Sequence, residues 1–177
     1  MNYGSRLLVL IMAASVLASC TVSSGQGSAL LALFTPEDDE LQAYRWQGHF
    51  GNYNAQLLAV SQGGNTLFSN QQGDLLEFDG WIISRVAKLG PLDQEIGIVG
   101  REGKRTISSG FRRVTHQCQP WVTQPLQGAK RLTQLCEGRK PYRNRIDVNA
   151  AGSITRIEQV INDRGQSIVL LGQGGTN

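Results

Sequence analysis

The stretch DLLEFDGWIISRVA, residues 74–87, decides the fold. Two short runs rich in branched and aromatic residues flank Asp79-Gly80, a dipeptide that favours a tight type I′ turn between paired strands. Strand, turn, strand is therefore the reading of these fourteen positions. The predicted hairpin has Asp79 and Gly80 at its tip.

The same grammar runs outward in both directions. YNAQLLAVS (53–61) ends at Gly63-Gly64-Asn65, and TLFSN (66–70) follows. EIGIVG (95–100), RTISSGFRRVTHQ (105–117), GAKRLTQLCE (128–137), YRNRIDVN (142–149), SITRIEQVI (153–161) and SIVLLG (167–172) continue the series. The last three are separated by AAG and NDRG, which is turn chemistry. About nine or ten short strands are expected from this count. One helix precedes them: Thr35 is a good N-cap, Pro36 suits the first helical position, and Glu37 to Glu40 place acids in the first turn. It should run to about Tyr44. The expected fold is mainly β, a curved or partly closed antiparallel sheet with one short N-terminal helix. The alternative is an α+β half-barrel carrier, a curved sheet with the helix covering an apolar cavity.

Composition agrees. The chain has 177 residues, 40% hydrophobic and 18% charged, with 21 glycines and 5 prolines. Such a chain can bury a core, and its glycines suit strands and turns better than a helical bundle. Apolar residues recur along most of its length, which excludes wholesale disorder.

The first residues are set apart from the fold. Arg6 precedes LLVLIMAASVL (7–17), an apolar run too short for a membrane span of about 20 residues but right for the core of an export signal. Leu17-Ala18-Ser19-Cys20 resembles the bacterial lipobox. That resemblance implies cleavage after residue 19, diacylglycerol on the Cys20 thiol and an acylated amine, because stable anchoring takes more than one chain. An ordinary export signal with Cys20 incidental is the alternative. Thr21, rather than Asp, after the cysteine resembles the enterobacterial signal for delivery to the outer membrane. The expected organisation is a signal at 1–19, lipidated Cys20 with a flexible tether at 20–29, one β-rich domain at 30–172 and a frayed tail at 173–177. Cys118 and Cys136 then remain as an even pair in an oxidising compartment. A disulfide between them is the first reading, with a metal site or free buried thiols as the others.

No catalytic constellation stands out. No GxSxG, HExxH or GxGxxG after a strand is present, and His49 and His116 form no recognisable ligand set. GIVGREGKR (97–105) reads as a hairpin turn rather than a phosphate loop. Asp74, Glu77 and Asp79 could pair as acid and base for hydrolysis, but Asp79 is better explained by its turn. The expectation is a non-enzymatic protein with no cofactor and no metal.

Charge is unevenly spread. Residues 35–80 hold seven acids and one base, whereas residues 101–145 hold eleven bases and two acids. On a strand Arg143 and Arg145 share a face, opposite Asn144, Ile146 and Val148. Arg112 and Arg113 should point to opposite faces, so that one of them joins a cationic patch. Guanidinium forks suit carboxylate and phosphate groups. A solvated, partly neutralised sheet face is the plainer reading. Nucleic acid is not expected as a partner of an exported, lipid-anchored chain.

Two stretches resemble the group 4 capsule and exopolysaccharide-associated lipoprotein family: TLFSNQQGDLLEFDGWIISRVAKLG (66–90) and CEGRKPYRNRIDVNAAGSITRIEQVI (136–161), the latter through Cys136, Tyr142, Asn144, Asp147, Gly152 and Gln159. The resemblance implies a β-rich, periplasm-facing lipoprotein that accompanies assembly or export of surface polysaccharide. Its partners would be export proteins or an anionic polysaccharide. Arg112, Arg143, Arg145, Asn144 and Gln159 are the candidate anionic-ligand residues. Asn144 and Gln159 have a second reading, that they satisfy backbone groups inside the sheet.

Overall fold

The computed structural model describes residues 45–92 and 94–173, all within one compact unit, Asp39–Asn177. Thirteen strands follow one another: β1 (Arg45–Phe50), β2 (Tyr53–Gln62), β3 (Asn65–Ser69), β4 (Leu75–Phe78), β5 (Ile83–Lys88), β6 (Ile96–Val99) and β7 (Gly103–Ser109) make the first half. The second half is β8 (Arg112–Cys118), β9 (Val122–Leu126), β10 (Ala129–Glu137), β11 (Pro141–Asn149), β12 (Ile154–Val160) and β13 (Ser167–Gly172). The expected helix at 35–44 and Cys20 lie outside the described residues, as does the start of the expected domain at residue 30.

The hairpin at 74–87 forms, but by a wider turn than the type I′ expected. Phe78 pairs with Ile83, which leaves a four-residue connection, 79–82. A type I′ turn needs positive φ at both central residues, and here only Gly80 has it. The Asp79 carboxylate instead accepts the backbone N–H groups of Trp81 and Ile82, both at 2.8 Å, so the side chain closes the turn. The two-residue turn with both φ positive sits at Gly63-Gly64, between the paired Gln62 and Asn65.

Three strands exceed the expected ten. RTISSGFRRVTHQ divides into β7 and β8 at Gly110-Phe111, where Gly110 takes the positive φ of a two-residue turn. β1 and β9 are the others. β1 pairs with β13 from the far end of the chain, Trp46 opposite Gly172 and Phe50 opposite Ile168. β9 is exposed along its length and carries no apolar alternation to mark it.

β1 to β8 pair in sequence, β8 pairs β10, and β10 to β13 lead back to β1. The result is a closed, antiparallel barrel of twelve strands with β9 outside the ring. Closure removes the open side that a half-barrel would have, so that alternative is corrected: edges are costly, and the ring leaves open only β9 and the part of β8 ahead of its seam with β10. The seam between β8 and β10 is short, with Cys118 opposite Cys136 and Gln117 opposite Glu137. The disulfide between Cys118 and Cys136 lies on that seam. Beyond it β8 leaves the ring and β9 takes its place along β10, from Val122 opposite Thr133 to Leu126 opposite Ala129.

Alternate positions of the strands fill the interior. Trp46, Leu57, Phe68, Leu76, Phe78, Val86, Ile98, Ile146, Ile157, Ile168 and Leu170 are buried in one continuous cluster. Trp46 meets Phe68 edge to face at 5.1 Å. One sector, on β7, β8, β10 and β11, is polar instead. There Arg105 is fully buried and donates from Nε to the Gly100 carbonyl (2.9 Å) and from Nη2 to that of Arg101 (2.8 Å). Gln134 Nε2 also donates to Arg101 O at 2.6 Å and to Gln119 O at 2.9 Å. These bonds tie the turn at 100–102 to the barrel wall.

The barrel has two rims. At the near rim Arg45 begins β1, and Gln173 donates its backbone N–H to Arg45 O at 2.9 Å, so both ends of the described chain lie there. The turns at 63–64, 79–82, 100–102 and 150–153 share this rim. At the far rim are the connections 51–52, 70–74, 89–95, 110–111, 138–140 and 161–166.

Candidate functional site

The far rim carries two grooves separated by the β12–β13 turn. Its sequence, Asn162-Asp163-Arg164-Gly165, is fixed by Asn162, whose Oδ1 accepts the backbone N–H groups of Arg164 and Gln166, both at 3.1 Å. One groove, of about 740 Å³, runs between this turn and the β7–β8 hairpin and is lined by Arg112, Arg113, Arg164 and Phe111, over a floor that includes Ile96, Ile107 and Val114. The other, of about 450 Å³, lies on the opposite side of the turn against His116, Arg139, Lys140 and Tyr142. Asp163 borders both.

Five cations, Arg112, Arg113, Arg139, Lys140 and Arg164, thus surround the two openings. Asp163 is the one carboxylate lining them among the described residues. None of the five is ion-paired among the described residues, whereas Arg85, Arg131, Arg145 and Arg156 on the barrel wall are. Such a rim attracts anions and focuses their approach, and guanidinium groups there can bind carboxylate or phosphate in a forked geometry.

The second groove has a hydrogen-bonding wall. His116 Nδ1 and the Tyr142 hydroxyl are 2.8 Å apart, with their rings edge to face. Burial lowers the His116 pKa, with nearby Arg105 adding to the effect and Asp163 opposing it. Burial raises the Tyr142 hydroxyl, and Arg105 opposes that shift. Both groups are therefore neutral near pH 7 and offer polar contacts without charge. Gly138 makes room for the imidazole, since a Cβ there would stand 2.9 Å from the ring.

Of the residues singled out in the sequence, Arg112 lies in the first groove. Arg113 lines it too, contrary to the expectation that only one would contribute. At the first turn of a strand on a rim, both faces border the opening. Arg143 is exposed on the outer wall and borders neither groove. Arg145 is also on the outer wall, held by Asp147: Nε donates to Oδ1 at 2.9 Å, and Nη2 contacts Oδ2. Burial would raise the Asp147 carboxyl, but Arg145 and Arg131 outweigh it and hold it below its ordinary value.

Asn144 and Gln159 are inside the barrel, away from both grooves. Asn144 Oδ1 accepts the backbone N–H of Val160 at 3.1 Å. Gln159 completes a backbone pair with Ile83, accepting its N–H at 2.8 Å and donating to its carbonyl at 2.9 Å. The five candidates are therefore not assembled into one site. Arg164 and the His116–Tyr142 pair were not singled out as ligand residues. NDRG reads as a turn, and no local signal shows that it crosses to the β7–β8 hairpin.

The acidic trio is dispersed. Asp74 is buried at the far rim, where Tyr53 Oη (2.6 Å) and Asn70 Nδ2 (2.7 Å) donate to Oδ2 and Gly90 N (2.8 Å) donates to Oδ1. Burial would raise its carboxyl, but these three bonds and the field of Lys88 leave it below the ordinary value. Glu77 pairs with Arg85 on the wall, and Asp79 pairs with Arg101 at the near rim. Among the described residues no group of three or more His, Cys, Asp or Glu side chains is placed to hold a metal ion.

No protein-family model and no curated protein matches the chain. Among solved structures it is similar to the crystal structure of the hypothetical lipoprotein YmcC from Escherichia coli (K12), with a TM-score of 0.54 and 10% identity. The match covers 82% of this chain and 95% of that one. At this identity the likeness is one of fold.

Proposed function

We propose that the chain is a lipoprotein of the bacterial cell envelope that binds an anionic glycan at its far rim and accompanies capsule or exopolysaccharide assembly or export. In this reading the signal is cut after residue 19, Cys20 is acylated, and the barrel hangs from the outer membrane facing the periplasm. The protein catalyses no reaction, and its partners are the polysaccharide and the proteins that export it. The lipobox, the two stretches similar to the capsule lipoprotein family and the barrel fold shared with a lipoprotein of known structure support it. The observation that carries the binding role is the ring of five cations around the two far-rim grooves. Phe111 and Tyr142 beside those cations suit the apolar faces of sugar rings. The packed apolar interior weighs against the lipid-carrier reading.

Two measurements test it. The chain should be retarded in a gel containing a polyuronate, and the retardation should fade with added salt as screening shortens the reach of the cations. A strain lacking the gene should show reduced surface polysaccharide. Unchanged surface polysaccharide together with no retardation would end the proposal, and lipid that co-purifies in stoichiometric amount would restore the carrier reading.

A further inference from the structure

Five large apolar side chains are exposed among the described residues, and four of them stand toward the near rim: Trp81, Val99, Val122 and Leu126. Val99 is 71% exposed and Trp81 39%. Trp81 leans on Trp121 with ring centroids 6.2 Å apart. Val122 and Leu126, four positions apart on β9, share one face of that strand. Of the charged residues near the tryptophans, Arg101 and Asp79 pair with each other at 3.1 Å, while Glu102 and Lys104 are exposed. Nothing comparable exists at the far rim, where Phe111 stands among arginines.

A second observation concerns the chain path. Arg45 starts the barrel at this same rim, and Cys20 lies 25 positions ahead of it. A segment of that length spans at most about 85 Å and leaves the barrel at the near rim, so an anchor on Cys20 pulls on that rim. Tryptophan concentrates at the boundary between headgroups and acyl chains, where its ring is apolar and its N–H is wet.

From these two observations we infer that the near rim is a bilayer-seating face, with Trp81, Val99, Val122 and Leu126 resting in the headgroup region. The inference rests on the lipid-anchor reading of Cys20. Seated so, the barrel turns its basic grooves away from the membrane and toward soluble or exported polymer.

The acyl chains hold the protein at a vesicle whatever the face does, so depth rather than partition is the readout. The full lipidated chain is reconstituted in vesicles of phosphatidylethanolamine and phosphatidylglycerol, with and without brominated acyl chains, and tryptophan emission is recorded. Bromine should quench a large part of it. Val99→Asp with Leu126→Asp, both at exposed positions, should cut the quenching at least about twofold, while Phe111→Asp should leave it unchanged. Trp81→Phe should remove most of the quenchable emission, because Trp46 is in the core and Trp121 packs against it with its indole nitrogen buried. No quenching in the wild type, or quenching that the aspartates leave intact, overturns the inference. So does light scattering that shows a dimer whose formation shields the tryptophans, since a second copy is then the occupant. The mass of the N-terminal peptide reports acylation separately, so failure of the anchor and failure of the face are told apart.

Discussion

The two rims of one barrel are built from opposite materials. The far rim gathers Arg112, Arg113, Arg139, Lys140 and Arg164, whereas the near rim gathers Trp81, Val99, Val122 and Leu126. Between them the wall is ordinary: most of its arginines are paired to carboxylates, as Arg85 is with Glu77 and Arg131 with Asp147. A barrel isolates its interior from both ends, so the rims can specialise without disturbing the core. The difference teaches that the surface character of this chain is set by its turns, and that the strands serve to hold two sets of turns far apart.

Breaking the seam that closes the ring should have the largest effect. The disulfide sits where β8 leaves the ring, on a seam of two residue pairs, and closes an 18-residue separation. Replacing Cys118 and Cys136 together by Ala should cost about 3 kcal/mol in chemical denaturation. Hydrogen exchange should show β9 and β10 losing protection first, with the far-rim turns at 70–74 and 89–95 following only at global unfolding. Equal loss at both rims would show that the seam is not the weak point.

Next comes Asp74, which holds the far rim together through Tyr53, Asn70 and Gly90. Asp74→Ala leaves three partly buried donors without their acceptor and should cost about 2 kcal/mol. Its folded pKa lies below the unfolded value of 3.8. Its stabilisation is therefore complete above that value and is lost as the pH falls through the lower folded one. Acid titration of stability should show this loss in the wild type and not in the Ala variant, while the near rim keeps its protection.

A smaller effect is expected from the cations themselves, which line the grooves and lie outside the core. Arg112→Glu with Arg113→Glu should weaken polyuronate binding about tenfold and flatten its salt dependence, with little change in stability. Val99→Asp with Leu126→Asp at the near rim should leave that binding intact. If both pairs weaken it alike, the rims do not divide the work.

Much of this was legible in the sequence, and the physical reason differs from part to part. Strand alternation and turn residues are local, so β2 to β6 and β10 to β13 could be read directly. The turn at 79–82 could be placed but not typed, because the Asp79 carboxylate competes with the backbone geometry that Asp-Gly favours. Closure rests on β1 meeting β13, more than a hundred residues away, and no local pattern encodes that pairing. The same holds for the site: Arg164 reaches Arg112 only because the barrel brings the β12–β13 and β7–β8 turns together. Asn144 and Gln159 were visible as polar residues on strands, but whether such a residue faces a ligand or a backbone gap depends on neighbours contributed by other strands.

Arg145 gives the finest test of the comparison, because it was a candidate ligand and the structure places it on the wall. Its guanidinium is committed to Asp147, which Arg131 also holds at 2.9 Å. Removing Arg145 leaves Asp147 with one partner rather than none, and the pair is partly exposed, so Arg145→Ala should cost no more than about 1 kcal/mol. Its side chain borders neither groove, so polyuronate retardation should be that of the wild type. A loss of retardation equal to that of the Arg112 and Arg113 pair would move the binding surface from the rim to the outer face of β10, β11 and β12. In that case the wall salt bridges would have to open to admit the ligand, and affinity would fall far less steeply with salt than five unpaired cations predict.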